Sequence, residues 1–273
     1  MDIKFDRNRV QEKLEAFIDP NYNPLEEDKN KRKAFVSKAE TYQLRYSDEA
    51  ALTPLLIEDS KDYLFNGLLC FCEAINRLTS QNYSWAAVEL YYCIYYLCRY
   101  KLHKNNFAIF RANGIMYYLD IKTNKSIELI DREKKRMPTH DGTIKIYSKL
   151  LNSSSIISNN IDGKQSLEWL KDVRDIINYR SVRFYEPYAL SVFDKFSSKE
   201  LILKNIQLIE KDSAYVFQPE FALIGLPIYF IQEIKKDGSV FKNLLTEERK
   251  MYLSSLIDEE FKKIILNQIL DLV

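Results

Sequence analysis

The residues best able to do chemistry lie in one stretch, WLKDVRDIINYRSVRFYEP, from Trp169 to Pro187. Arg174, Asp175, Asn178, Tyr179 and Arg180 fall within seven consecutive positions of it. An arginine presents a planar fork of donors suited to carboxylate or phosphate, and the Tyr179 and Trp169 rings could stack on a base. At helical spacing Arg174 and Asn178 are neighbours four apart, as are Asp175 and Tyr179. All four flank an apolar stripe of Leu167, Leu170, Val173 and Ile177. They are therefore expected at the rim of a helix–helix interface, where polar groups persist only when hydrogen-bonded. Two readings follow: an anion-binding site, or a structural network tying helices together around a partly buried arginine and its carboxylate.

A catalyst at this place would also need a proton acceptor. Tyr179 titrates near ~10 in water and is a poor base at neutral pH, and Arg180 accepts no proton. The chain holds two histidines. His103 ends a tyrosine-rich helix in YKLHKNN, where an imidazolium would complement the helix dipole. His140 lies in MPTHDGT, an exposed turn just before a helix. Either would matter to catalysis only by folding back toward Arg174. Arg180, Arg183, Lys101 and Lys104 are the candidate contacts to nucleic acid. The densest basic run, REKKR over 132–136, contains a glutamate and follows Asp131, and reads as solvated surface. Cys70, Cys72, Cys93 and Cys98 lack zinc-site spacing and read as buried reduced thiols. No metal or cofactor is expected. Phosphate-binding loops, dinucleotide glycine fingerprints, His-Glu-x-x-His and Gly-x-Ser-x-Gly are all missing from the sequence.

The elements that must position these groups are helical. Of 273 residues, 46% are apolar and only 6 are Gly and 7 Pro, too few turn formers for an all-β sandwich. With 40 Lys+Arg against 39 Asp+Glu, the net charge of +1 gives no global pull toward nucleic acid or anionic lipid, so any such binding must be local. The longest apolar run, Phe221–Ile231, is too short to span a bilayer and is interrupted by Gly225 and Pro227. The N-terminus resembles neither a signal nor a transit peptide, and a cytoplasmic, non-membrane protein is expected.

Along the chain, helices are predicted over 2–18 and about 26–47, then about 60–79 and 83–104 across a short break at Ser80–Asn82, with Ser84 as a cap and antiparallel packing. The texture then turns β-like. Runs at Phe107–Phe110, Ile115–Ile121 and Ser126–Ile130, separated by Asn113–Gly114 and Lys122–Lys125, predict a small β-meander inserted between helices. Further helices are predicted at about 142–152, through the Arg174 stretch (capped by Asp162 with Gln165 reaching back), at about 198–213 (capped by Ser197 and Glu200), and to the C-terminus, with Gly238 stopping one of them. The tyrosines at 91, 92, 95 and 96 read as core residues whose hydroxyls reach polar partners.

The combination of SWAAVELYYCIYYLCRYKL with the later LEWLKDVRDIINYR resembles the HEPN superfamily, over roughly residues 55–190. The resemblance implies a mainly α, antiparallel four-helix bundle, here with a β insertion at about 106–131, flanked by N-terminal helices (1–54) and a C-terminal helical extension (191–273). It also implies a homodimer, a defence or toxin–antitoxin setting, and a metal-independent ribonuclease site built from an Arg and a His of each protomer. Arg174–Asp175 matches the first half of that motif. Where the His is expected stand Tyr179, Arg180 and Ser181. The resemblance thus implies either an RNA-directed component acting around Arg174, or a non-catalytic module that dimerises or holds a cognate protein partner.

Overall fold

A computed structural model describes residues 8–24, 28–131, 136–152, 155–184, 186, 188, 190–236, 238 and 241–270. The protein is mainly α-helical with a small inserted antiparallel sheet. It forms two compact units, each built from two separated segments. Unit 1 comprises Met1–Asp62 and Cys98–Leu151, and unit 2 comprises Tyr63–Leu97 and Asn152–Val273.

Unit 1 contains α1 (Arg9–Ile18), α2 (Lys29–Thr41), the first half of α3 (Tyr46–Thr79) and the last turns of α4 (Tyr83–Lys104). It also holds β1 (Phe107–Ala112), β2 (Ile115–Asp120), β3 (Glu128–Leu129) and α5 (Thr139–Leu150). The expected β-meander is present as an antiparallel sheet in the order β1-β2-β3. Its tight turn is Asn113–Gly114, at φ +49° and +80°, the left-handed pair that a two-residue hairpin loop needs. Strand alternation gives the sheet two faces. Ala108, Phe110, Ala112, Tyr117 and Leu119 join Val10, Leu14, Phe35, Ala39, Leu52 and Leu56 in one core. Met116 faces α5 instead, so close that a Cβ on Gly142 would come within 2.6 Å of its side chain.

Three helix boundaries differ from expectation. Residues 2–7 lie outside the described residues, and α1 starts at Arg9. Its first turn is held by the Asn8 side chain and by Asp59, whose carboxylate accepts from the backbone N–H groups of Arg9 and Val10. Residues 42–45 leave the second predicted helix, and α3 begins at Tyr46 rather than near residue 60. It runs 34 residues straight through Pro54. A proline removes one helical hydrogen bond and crowds the preceding turn, and here Leu52 and Leu56, both buried beside it, outweigh that cost.

Unit 2 takes the second half of α3, the first half of α4 and everything from Asn152. Within it α3 and α4 run antiparallel: Tyr63 stacks near Tyr96, Gly67 meets Leu97 and Arg77 pairs with Glu89. A one-turn helix α6 (Ser155–Ser158) and a two-stranded ribbon, β4 (Asn160–Ile161) with β5 (Lys164–Gln165), lead into α7 (Ser166–Asp175). A π-turn over Ile176–Arg180 continues α7. Then follow 3-10 turns at Ser191–Phe196 and Ser213–Phe217 around α8 (Lys199–Lys211), and α9 (Pro219–Lys236). The chain ends with α10 (Phe241–Leu244), α11 (Glu247–Ser255) and α12 (Glu259–Lys262), the last running into a π-helical segment, Lys263–Ile269.

The apolar run at 221–231 is the centre of this unit. Helix α9 passes unbroken through Gly225 and Pro227, with almost every side chain from Phe221 to Ile234 buried. Gly225 is needed for packing, since a Cβ there would stand 3.1 Å from the Val216 backbone. Gly238, at φ +78°, bonds back to the Lys235 carbonyl and terminates α9 as expected. No helix among the described residues is long and apolar enough to cross a membrane.

Candidate functional site

Helix α7 starts later than its sequence suggests. Asp162 sits in the β4–β5 turn at φ +49°, and Gln165 is the cap, its side-chain oxygen accepting from the N–H groups of Leu167 and Glu168. Leu167, Leu170 and Ile177 are buried, as the stripe requires, and Val173 is half-buried. Past Asp175 the winding loosens. The Ser181 N–H bonds to the Ile176 carbonyl, five residues back, which adds one residue to the turn.

That extra residue decides the geometry around Arg174. Neighbours across a π-turn are five apart, and the Tyr179 ring lies over the Arg174 guanidinium at 4.7 Å. Helix α4 supplies two more rings, Tyr91 at 5.2 Å and Tyr92 at 5.8 Å. Asp175 receives the guanidinium Nη1 at 2.7 Å, and Nη2 donates to the Tyr92 hydroxyl at 3.4 Å. Lys171 reaches the other Asp175 oxygen at 3.6 Å. Burial works to lower the Arg174 pKa, but Asp175 and Tyr92 outweigh it and hold the guanidinium above its ordinary value. The result is a permanently charged arginine, 9% exposed, pinned by a carboxylate and walled by three tyrosines.

The other candidates divide between the units. Asn178 is half-buried on the π-turn, and Arg180 and Arg183 are exposed just beyond it. His103, Lys101, Lys104 and His140 belong to unit 1. His103 is 2% exposed, and burial, aided by the nearby Arg99 charge, pushes its pKa down to about 3. It is a neutral core imidazole near the Leu56 backbone, not a charged helix-end partner. His140 is in the first turn of α5 and half-buried, not in an exposed preceding turn. The cysteines are free thiols, Cys72, Cys93 and Cys98 buried and Cys70 half-buried; burial raises Cys70, Cys72 and Cys98 above the ordinary thiol range. Among the described residues no group of three or more His, Cys, Asp or Glu side chains is placed to hold a metal ion.

Several residues near Arg174 escape sequence reasoning. Glu186 reaches the N-terminus of α4, its carboxylate accepting from the Ser84 N–H at 2.6 Å and from the Ser84 hydroxyl at 2.9 Å. Ser84 is thus a donor inside the first turn and not the cap itself. One residue along, Trp85 packs its ring 5.9 Å from Phe184. Together Trp85, Ile176, Tyr179, Val182, Phe184 and Tyr188 are large apolar side chains left exposed, Val182 completely so. Comparison with protein families, with curated proteins and with solved structures yields no match.

Proposed function

We propose that this chain is a HEPN-like module that binds RNA at the surface around Arg174 without cleaving it. The observation that carries the reading is Tyr179. It occupies the place where the family's motif would put a base, and its ring is committed to covering the Arg174 guanidinium. A caged cation already neutralised by Asp175 is poorly available to a phosphate. Binding would instead fall to what is exposed next to it. The Phe184 and Trp85 rings, with Arg180 and Arg183, combine stacking faces with phosphate-neutralising charges, which is what single-stranded RNA requires.

The test is to incubate the purified protein with a mixed RNA and tRNA pool without metal. RNA is expected to be retained at full length, and Arg180→Ala/Arg183→Ala to weaken binding by about tenfold, with a shallower salt dependence. Cleavage that Arg174→Ala abolishes would overturn the non-catalytic reading, and no retention at low salt would overturn RNA as the ligand.

A second reading rests on Val182, Ile176 and Phe184, whose exposure suits a protein contact better than a polyanion. Here the module dimerises or holds a cognate protein. Light scattering of the wild type beside Val182→Glu/Phe184→Glu separates the two: a dimer lost in the variant supports this reading, and a monomer in both removes the homodimer.

A further inference from the structure

Unit 1 carries a cavity that the Arg174 region does not explain. Its volume is about 670 Å³, and among the described residues it is bounded by α1, the segment after α1, α2, the β1–β2 turn and the start of α5. Arg32, Arg111 and Arg136 converge on it from three different elements. Among the described residues that line it the one carboxylate is Glu15, which is buried and accepts from Gln11 at 2.9 Å. Among the described lining residues three guanidinium groups thus meet one carboxylate in a concave site, where low-dielectric walls concentrate the field.

Two further features point the same way. Helix α5 opens at the cavity wall through Pro138 and Thr139; its N-cap, Pro138, makes no side-chain cap bond, and its first turn carries Asp141. A helix start presents backbone N–H groups and the positive end of the dipole, a standing preference for an anion. Arg136 is also positioned rather than loose. Its side chain lies across Gly114, within 3.2 Å of where a Cβ would be, and donates to the Asn113 side-chain oxygen at 3.3 Å. Gly114 is favoured by its φ of +80°, with the arginine side chain in close contact over it. Arg136 is the last residue of the REKKR run, whose first four residues lie outside the described residues. Tyr22, stacked on Phe35 at 3.7 Å, closes another side with an aromatic wall.

We propose that this cavity binds a phosphorylated small molecule, its phosphate held by Arg32, Arg111, Arg136 and the first turn of α5. Planar guanidinium forks suit phosphate oxygens, and the volume is that of a metabolite or mononucleotide site. The site stands apart from the Arg174 reading, and its fate leaves that reading untouched.

The test is calorimetric titration of the full chain with inorganic phosphate, ribose 5-phosphate, AMP and adenosine. The same titrations are run on Arg111→Ala/Arg136→Ala, whose two positions are exposed and whose fold circular dichroism can verify. Phosphate-bearing probes are expected to bind, adenosine not to, and the double variant to weaken binding by at least about tenfold. Four outcomes would overturn the proposal: no phosphate-bearing probe binds up to about 10 mM; adenosine binds as well as AMP; the double variant binds unchanged; or only an RNA oligonucleotide binds in a manner that the double variant abolishes.

Discussion

The ring of Tyr179 lies 4.7 Å from the guanidinium of Arg174, five residues earlier in the chain, and a π-turn brings them together. An α-helix would have aligned Arg174 with Asn178 instead. The loosened turn therefore turns an arginine that could have faced a ligand into one faced by its own helix. Asp175 and two α4 tyrosines complete the enclosure.

If the Tyr179 ring is what matters, its hydroxyl is dispensable. Tyr179→Phe is expected to leave stability unchanged, while Tyr179→Ala loses the cation–π contact, worth about 0.5–1 kcal/mol for a ring that is itself exposed. Urea denaturation of the two variants reads the difference. Equal losses in both would mean that the hydroxyl, not the ring, holds the turn.

Glu186 and Ser84 lie 102 residues apart, and their contact joins the loop after the π-turn to the first turn of α4. A carboxylate on a first-turn N–H combines capping with dipole stabilisation. Glu186→Ala is expected to destabilise the protein by about 1–2 kcal/mol, and Glu186→Gln by less, because an amide oxygen still accepts but carries no charge. Thermal unfolding of both variants checks the order.

How far these features were legible differs by the range of the interactions involved. The meander, its Asn113–Gly114 turn and the buried face of α7 follow from local patterns and are found in place. Helix starts depend on which nearby polar side chain turns inward, so α7 is capped by Gln165 rather than Asp162. Likewise α8 is capped by Ser198, whose hydroxyl accepts from Leu201, while Ser197 bonds back to Asp194. The third helix is expected to start near residue 60, yet α3 begins at Tyr46 and the core around Leu52 and Leu56 carries it past Pro54. The arginine cavity was out of reach, because Arg32, Arg111 and Arg136 are scattered along the sequence and only the fold gathers them. The Trp85–Phe184 contact, across 99 positions of sequence, was equally hidden.

The buried Asp48 at the start of α3 gives an acid limb to stability. Burial alone would raise its carboxyl, but the Arg45 guanidinium, the Tyr42 hydroxyl and the Arg45 N–H outweigh that and hold it at about 2. A folded pKa below the unfolded value of about 4 means that its contribution is present above pH 4 and lost as pH falls toward 2. Asp48→Asn is expected to lower stability at pH 7 and to flatten the fall between pH 4 and pH 2. Urea midpoints across that range measure both effects.

His103 acts in a separate window and separates a core imidazole from a catalytic one. Its folded pKa of about 3 lies below the unfolded value near 6.5, through burial first and the Arg99 charge second. Between those pH values the unfolded chain binds a proton that the folded chain refuses. Stability is therefore full above about pH 6.5 and declines as pH falls, by up to about 1.4 kcal/mol per pH unit. His103→Gln keeps a neutral polar side chain at the position and removes this titration. The variant is expected to lose most of the wild-type slope between pH 6 and pH 4, above the window set by Asp48. An unchanged slope would mean that His103 is protonated in the folded protein, and the buried, neutral imidazole would have to be abandoned.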